Sequence, residues 1–315
     1  MGPPGPHPPL TGLRHARRLA PLYAYRAASG LARSLPAPVA DRVAVAAGRA
    51  MGRLLAGRRV MVGRHLQRIH GPSLTGDALD REVRRTFDSY ARYWLESFRL
   101  PGMSPDALAA AMTCEGLEHV TAAVDAGRGV IVALPHLGGW DFGGAWLASV
   151  GYPATVVVEA LEPPELLEWF ARFRQSLGLT VVPLDQAAGT IVLRTLRAGG
   201  IVGLVCERDI AGNGIEVDLL GERTTMPAGP ATLALRTGAA IVPAAVYFTD
   251  GGGHRGVIRP PLEVERRGTL REDVARITQA LAGEMESFIR AAPEQWHLLQ
   301  PNWPSDHEFL RNHAR

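Results

Sequence analysis

From residue 129 onward, short apolar runs alternate with longer stretches of helical periodicity. Val130-Ile131-Val132-Ala133-Leu134 is a continuous apolar run closed by Pro135. An apolar run of that length between turn signals predicts a strand buried on both faces. By the same criterion strands are predicted at 154–159, 180–184, 201–206, 240–248 and 256–262. Residues 215–220 (IEVDLL) alternate apolar and acidic side chains, as a half-exposed strand does. Helical stretches are predicted between them, at 142–150, 162–178, 188–198, 228–237 and 270–291. Strands that alternate with helices imply an α/β fold, with a mostly parallel central sheet flanked by helices.

The first part of the chain follows a different pattern. Residues 1–12 are rich in Pro and Gly and are expected to form a disordered tail. Helices are predicted near 13–34, 38–55 and 57–70, with Pro36 dividing the first two and Pro38 suited to a helical first turn. Pro21 and Gly57 are candidate breaks. A further helix is expected over 76–100, capped by Asp77, with Phe87, Tyr90, Tyr93, Trp94 and Phe98 as core positions. Residues 103–112 and 116–126 also look helical. The predicted organisation is a tail (1–12), a helical N-terminal region facing a membrane (13–127) and an α/β core (128–315). One continuous domain over 13–315 is the alternative.

Charge sharpens the picture of the N-terminal region. The 34 basic residues of the chain are all arginine, against 31 carboxylates, for a formal net charge of +3. So small an excess gives no argument for nucleic acid as a partner. Residues 13–70 nevertheless hold Arg14, Arg17, Arg18, Arg26, Arg33, Arg42, Arg49, Arg53, Arg58, Arg59, Arg64 and Arg68, with Asp41 as the one acid. Arginine-rich helices with an apolar opposite face suit an anionic membrane surface. A helical subdomain with solvated arginines is the plainer alternative. No run of 18 apolar residues occurs, so no transmembrane helix is predicted. The N-terminus lacks the apolar stretch of a signal peptide.

Candidate chemistry lies at strand ends. Two cysteines, Cys114 and Cys206, allow neither a disulfide framework nor a metal cage, and a reducing compartment follows. With no lysine, Schiff-base and Walker A chemistry are excluded. No G-x-S-x-G, no H-E-x-x-H and no zinc-spaced cysteines occur, and no metal or cofactor is expected. His136 follows the first buried strand and Pro135, with Gly138 and Gly139 before Asp141. Ligand sites in open α/β sheets collect where strands end. An imidazole there suits general-base work near neutral pH, and a nearby carboxylate can hold its tautomer. As plain structure, the same residues are a turn histidine and a helix cap. Glu207, Arg208 and Asp209 close another buried strand, and a parallel sheet could bring their carboxylates beside His136. Glu159 ends the strand at 154–159, with Arg172 and Arg174 on the next helix able to meet phosphate or simply to form surface ion pairs. Cys206, inside a strand, reads as an inert core thiol.

These residues resemble the bacterial membrane-associated acyltransferases, among them the late acyltransferases of lipid A biosynthesis and the glycerophosphate acyltransferases. The His-x4-Asp pattern in PHLGGWD carries that likeness. A closer resemblance, to actinobacterial phosphatidylinositol mannoside acyltransferases, rests on features that recur in order. They are SYARYWLESFRLP (89–101), ALPHLGGWDFGG (133–144), Glu159, RFRQSLGLTVVPL (172–184), CERD (206–209), GIEVDLLGERTTMPAGPA (214–231), TGAAIVPA (237–244) and WHLLQPNW (296–303). The first 70 residues match weakly, and the stretch between Leu184 and Ile201 is a few residues short of the family pattern.

The resemblance implies transfer of a long-chain acyl group, palmitoyl above all, from acyl-CoA as co-substrate to a mannose hydroxyl of a phosphatidylinositol mannoside. Another glycolipid or a lysophospholipid is the alternative acceptor. It implies a peripheral enzyme on the cytoplasmic face of the bacterial membrane, touching the inner leaflet. His136 would be the general base, Glu207 its partner, and Asp141 a support for the motif. Arg174 would lie near the acyl-CoA, with Glu159, Arg208 and Asp209 as further substrate-binding residues. Backbone amides after His136 are the expected oxyanion donors. A non-enzymatic membrane-binding protein is the competing class.

Overall fold

The computed structural model describes residues 12–159 and 161–313. The expected tail at 1–12 therefore lies outside the described residues, apart from Gly12, which opens the first helix. Four helices lead the chain: α1 (Gly12–Ser34), α2 (Ala37–Leu54), α3 (Ala56–His70) and α4 (Gly76–Arg99). Next come α5 (Pro105–Ala110), β1 (Met112–Glu115), α6 (Glu118–Asp125), β2 (Val130–Leu134), α7 (Trp140–Ser149), β3 (Ala154–Val158), α8 (Pro164–Gln175), β4 (Thr180–Pro183), α9 (Ala188–Arg197) and β5 (Ile201–Val205). The chain closes with β6 (Ile215–Leu219), β7 (Glu222–Met226), α10 (Gly229–Thr237), β8 (Ala240–Phe248), β9 (His254–Ile258), α11 (Leu270–Ala291) and α12 (Pro304–His313).

Seven strands form one sheet in the order β1-β9-β8-β2-β5-β3-β4. Every neighbouring pair is parallel except β8 with β9. Successive strand residues point to opposite faces, and the core divides accordingly. Ile131, Ala133, Val202 and Ile241 face α9, α10 and α11, together with the β6–β7 hairpin. Val130, Val242, Ile201 and Ala154 face α1, α6, α7 and α8. A third cluster, Val62, Leu66, Val83, Phe87 and Leu299, joins α3 and α4 to the C-terminal segment.

The predicted helices and buried strands are present with small shifts of boundary. Pro36 caps α2 and a proline lies in its first turn. Pro21 lies inside α1 without splitting it. The α2–α3 break falls at Leu55, whose φ of −100° and ψ of 60° leave the helical region, rather than at Gly57. Thr75, not Asp77, occupies the cap position of α4, and Asp77 lies in its first turn. The strand expected at 256–262 begins earlier, at His254, and ends before Pro260 and Pro261.

Two strands have little periodic signal. β1 falls between the two stretches read as helical, sharing only Met112 with the first, and its four residues become a strand only by pairing with β9. β7 (ERTTM) pairs with β6 across a two-residue turn whose Leu220 and Gly221 both have positive φ, 53° and 79°. That geometry matches the twist of a tight hairpin. Consequently 215–219 is part of this separate hairpin and not of the main sheet. The N-terminal arginines are also not uniformly solvated. Arg64 and Arg68 turn inward from α3 and bind the fully buried carboxylate of Asp306 on α12. Among the described residues, no helix is long and apolar enough to cross a membrane.

Candidate active site

The site grows from the end of β2. After Leu134, Pro135 cannot continue the ladder, and the chain turns through His136, Leu137, Gly138 and Gly139 into α7. The turn is pinned from two sides. Gly138 N–H donates to the Gln295 carbonyl (2.9 Å) and Gly139 N–H to the Val246 carbonyl (3.0 Å). His297 N–H donates to the His136 carbonyl (2.8 Å). Gly138 has φ +57°, and a Cβ there would lie 2.1 Å from the Val246 carbonyl oxygen. Only glycine fits.

Register does the next step. Leu134 pairs with Val205, so the residues just past β2 and β5 lie side by side. Glu207 therefore meets His136. Its Oε1 accepts from His136 Nδ1 (2.8 Å) and from the His136 backbone N–H (3.0 Å). Trp296 Nε1–H donates to the same oxygen at 3.3 Å. Glu207 has no exposed surface. Burial works against its charged form, but the adjacent His136 ring and amide outweigh it and hold the carboxyl below its ordinary range. A carboxylate accepts and cannot donate, so the proton of neutral His136 sits on Nδ1. Nε2 is left as the basic nitrogen, on a side chain 32% exposed.

Asp141 does not join this pair. It lies in the first turn of α7, buried, and accepts from Tyr93 Oη–H (2.6 Å) and from Arg174 Nε–H (3.0 Å) and Nη2–H (3.3 Å). Burial and the Asp141 charge push the Tyr93 hydroxyl well above its ordinary pKa, so it remains a donor. Burial alone would lower Arg174, but Asp141 outweighs it and the guanidinium is held charged. Tyr93 stacks on Trp140 with ring centres 3.9 Å apart, and Trp140 packs edge-on to His136 at 5.4 Å. Asp141 is therefore a buried clamp that sets the wall beside His136, in keeping with the support for the motif expected of it. Arg174 is held by that clamp and also lines the cavity.

A cavity of about 410 Å³ opens beside His136 and runs over the sheet face under α7. Its walls include Val132, Val156, Trp146, Leu147, Phe170 and Leu179, with Tyr25, Tyr90 and Trp94 from α1 and α4. Gly143, Gly144, Gly203 and Gly256 also line it. Size and apolar lining are those of a ligand pocket with few polar groups at one end. Those polar groups are His136, Asp141, Glu159, Arg174, Arg208 and His297.

Glu159 is exposed at the end of β3. Arg208 is half-buried and makes no ion pair among the described residues. Asp209 does not line the cavity; it organises its own loop by accepting from Gly212 N–H (2.9 Å) and Gly214 N–H (2.7 Å). Among the described residues Arg172 pairs only with exposed Glu168. Burial pushes the Cys206 thiol far up, so it stays protonated at neutral pH. The amides expected to hold an oxyanion are taken. Leu137, Gly138 and Gly139 donate to the carbonyls of Pro135, Gln295 and Val246.

His297 was not singled out by sequence. Burial and the neighbouring charge of His136 push it down to about 3, so it is neutral. Its Nε2 lies 2.9 Å from Ser89 Oγ. Tyr93, Trp296 and His297 all lie within motifs already visible in the chain, SYARYW and WHLLQPNW. Aromatic rings with one polar tip were the available signal.

The described residues thus place an imidazole, paired to a buried carboxylate, at the mouth of an apolar cavity in an α/β fold. The sequence pattern of the bacterial lipid A biosynthesis acyltransferase family matches residues 10–305, and the chain belongs to that family. The chain is 39% identical over 286 residues to the phosphatidylinositol mannoside acyltransferase of Mycolicibacterium smegmatis, covering 90% of this chain and 91% of that one. It is 42% identical over 226 residues to the protein of the same description from Mycobacterium tuberculosis, covering 70% of each. A lipid A biosynthesis acyltransferase of Haemophilus influenzae is 28% identical over 187 residues, covering 58% of this chain and 55% of that one.

Proposed function

We propose that this acyltransferase moves a long-chain acyl group, such as palmitoyl, from acyl-CoA to a mannose hydroxyl of a phosphatidylinositol mannoside, with His136 as general base. The observation that carries the proposal is the 2.8 Å bond from His136 Nδ1 to Glu207. It fixes the tautomer that leaves Nε2 basic at the mouth of the apolar cavity. The names of the relatives support the acceptor.

In the reaction, Nε2 takes the proton of the mannose hydroxyl as its oxygen attacks the thioester carbonyl carbon. The C–O bond forms, the C–S bond breaks, and the imidazolium returns its proton to the departing CoA thiolate. Glu207 stabilises the imidazolium between those events. The thiolate is a good leaving group, so no covalent enzyme intermediate is required. The acyl chain lies in the cavity, and Arg208 with Glu159 at the rim meets the polar parts of the substrates.

A lipid acceptor requires contact with a membrane. Tyr23, Leu31, Val39, Val43 and Leu54 are exposed on α1 and α2, beside arginines 26, 42, 49 and 53. Leu54 is 81% exposed. Exposed apolar side chains on helices that also carry arginines favour the interface of an anionic leaflet. On this proposal the enzyme is peripheral, on the cytoplasmic face.

Mass spectrometry of the product tests the acceptor. Purified protein given palmitoyl-CoA and a phosphatidylinositol mannoside is expected to yield one added acyl group, located on a mannose fragment. Acylation only of a lysophospholipid or another glycolipid would overturn the assignment.

A further inference from the structure

We infer that Trp296 is a positioning residue for the catalytic pair, and that its indole N–H is the group that acts. The inference rests on the general-base reading of His136. The Glu207 carboxylate has an uneven environment. Oε1 accepts from His136 Nδ1, His136 N and Trp296 Nε1, while Oε2 is buried with no hydrogen-bond partner among the described residues. Two of those donors belong to the residue being positioned. Trp296 is the side-chain donor from outside the pair.

The indole itself is held. Leu137, next to His136, forms an antiparallel bridge with Trp296. The His65 ring packs against Trp296 at 5.3 Å and against Trp303 at 5.2 Å. His65 is fixed in turn, its Nδ1 3.0 Å from the Leu298 carbonyl and its Nε2 3.4 Å from Asp306 Oδ2. Arg64 Nε–H and Arg68 Nη2–H each donate to Asp306 at 2.8 Å. A buried column thus runs from α3 and α12 through two aromatic rings to the carboxylate that orients the base. Trp296 does not line the substrate cavity. It acts through Glu207 and not on substrate.

Without the indole donor, Glu207 keeps its charge but loses the contact that distinguishes Oε1 from Oε2. The carboxylate can turn, and the His136 ring loses its fixed aim. Hydrogen bonds to charged groups are among the stronger ones. Substituting Trp296→Phe keeps the aromatic packing and removes the donor. The expected result is a kcat lower by roughly ten- to a hundredfold, with KM for palmitoyl-CoA and for the mannolipid changed less than about twofold. In a Glu207→Gln background the same substitution should cost nothing further, because residues acting through one contact are not additive. A wild-type kcat for Trp296→Phe, or a full multiplicative loss in the Glu207→Gln background, would overturn the inference.

If Trp296→Phe does not fold, the intact chain gives the answer by NMR. Of the six tryptophans, one indole N–H signal should move on Glu207→Gln while that of Trp303, which donates to the Leu219 carbonyl, stays. No moved indole signal would also overturn it. His136→Ala separates the two levels. If that variant retains activity, the general-base reading fails. If it is inactive and Trp296→Phe is unaffected, the positioning inference alone fails.

Discussion

Glu207 is where single-residue physics decides the most. A carboxylate with no exposed surface is held charged chiefly by an imidazole and an amide of one residue, His136. Glu207→Gln keeps the shape and removes the charge that stabilises the imidazolium. The expected kcat is lower by a hundredfold or more, roughly the range attributed to a positioned base. A wild-type rate of CoA release from folded Glu207→Gln would contradict the pairing. Asp141→Asn tests a different function. It weakens the Arg174 clamp, so it should lower the melting temperature and reduce activity together.

His136 and Glu207 were both legible, because each closes an apolar run in a parallel sheet. Their contact was not, since it depends on the register of β2 with β5. The position of Asp141 was legible, but its partners were not. Five positions separate it from His136 in sequence, but the first turn of α7 sends its side chain to α4 and α8. Arg174 is one of those partners; it lines the cavity and also binds the buried carboxylate, and helical periodicity shows neither.

At the scale of elements, the turn from β2 into α7 controls the site. Gly138→Ala places a methyl group on a carbonyl and forces a left-handed backbone on a residue that resists it. The expected loss is at least about 2 kcal/mol of stability, seen in urea unfolding, with activity falling as the turn shifts. An unchanged midpoint would show that the turn is not fixed in this way. The α2 surface makes an independent prediction. Val43→Glu with Leu54→Glu should reduce flotation with vesicles rich in anionic lipid while leaving the melting temperature intact. Equal flotation would remove α2 from the interface. Helices and buried strands were legible because their periodicity is their own. β1 and β7 were not, because a short or polar strand exists only through its partner.

Across the whole molecule, buried histidines and carboxylates tie stability to pH. Burial lowers His65, and burial with the His136 charge pushes His297 down to about 3. In the unfolded chain both take up protons near about 6.5. Below that pH the unfolded state binds more protons than the folded one, so stability falls on acidification. Asp306 and Glu207 add a second loss at lower pH. Hydrogen bonds to His65 and its arginine neighbours overcome burial to hold Asp306 below its ordinary range, as His136 does Glu207. Their contribution is present above about pH 4 and disappears as pH falls toward the folded values. Calorimetry should show a melting temperature that falls from about pH 7 to about pH 5, with a shallower slope for His297→Gln. A flat profile would mean that these side chains are not buried as described.

The proposed catalysis turns on one nitrogen, Nε2 of His136. The most direct measurement is the rate of CoA release from palmitoyl-CoA in the presence of phosphatidylinositol mannoside, for wild type and for His136→Ala shown by calorimetry to be folded. Loss of about a hundredfold or more is predicted. A folded variant that releases CoA at the wild-type rate would contradict it.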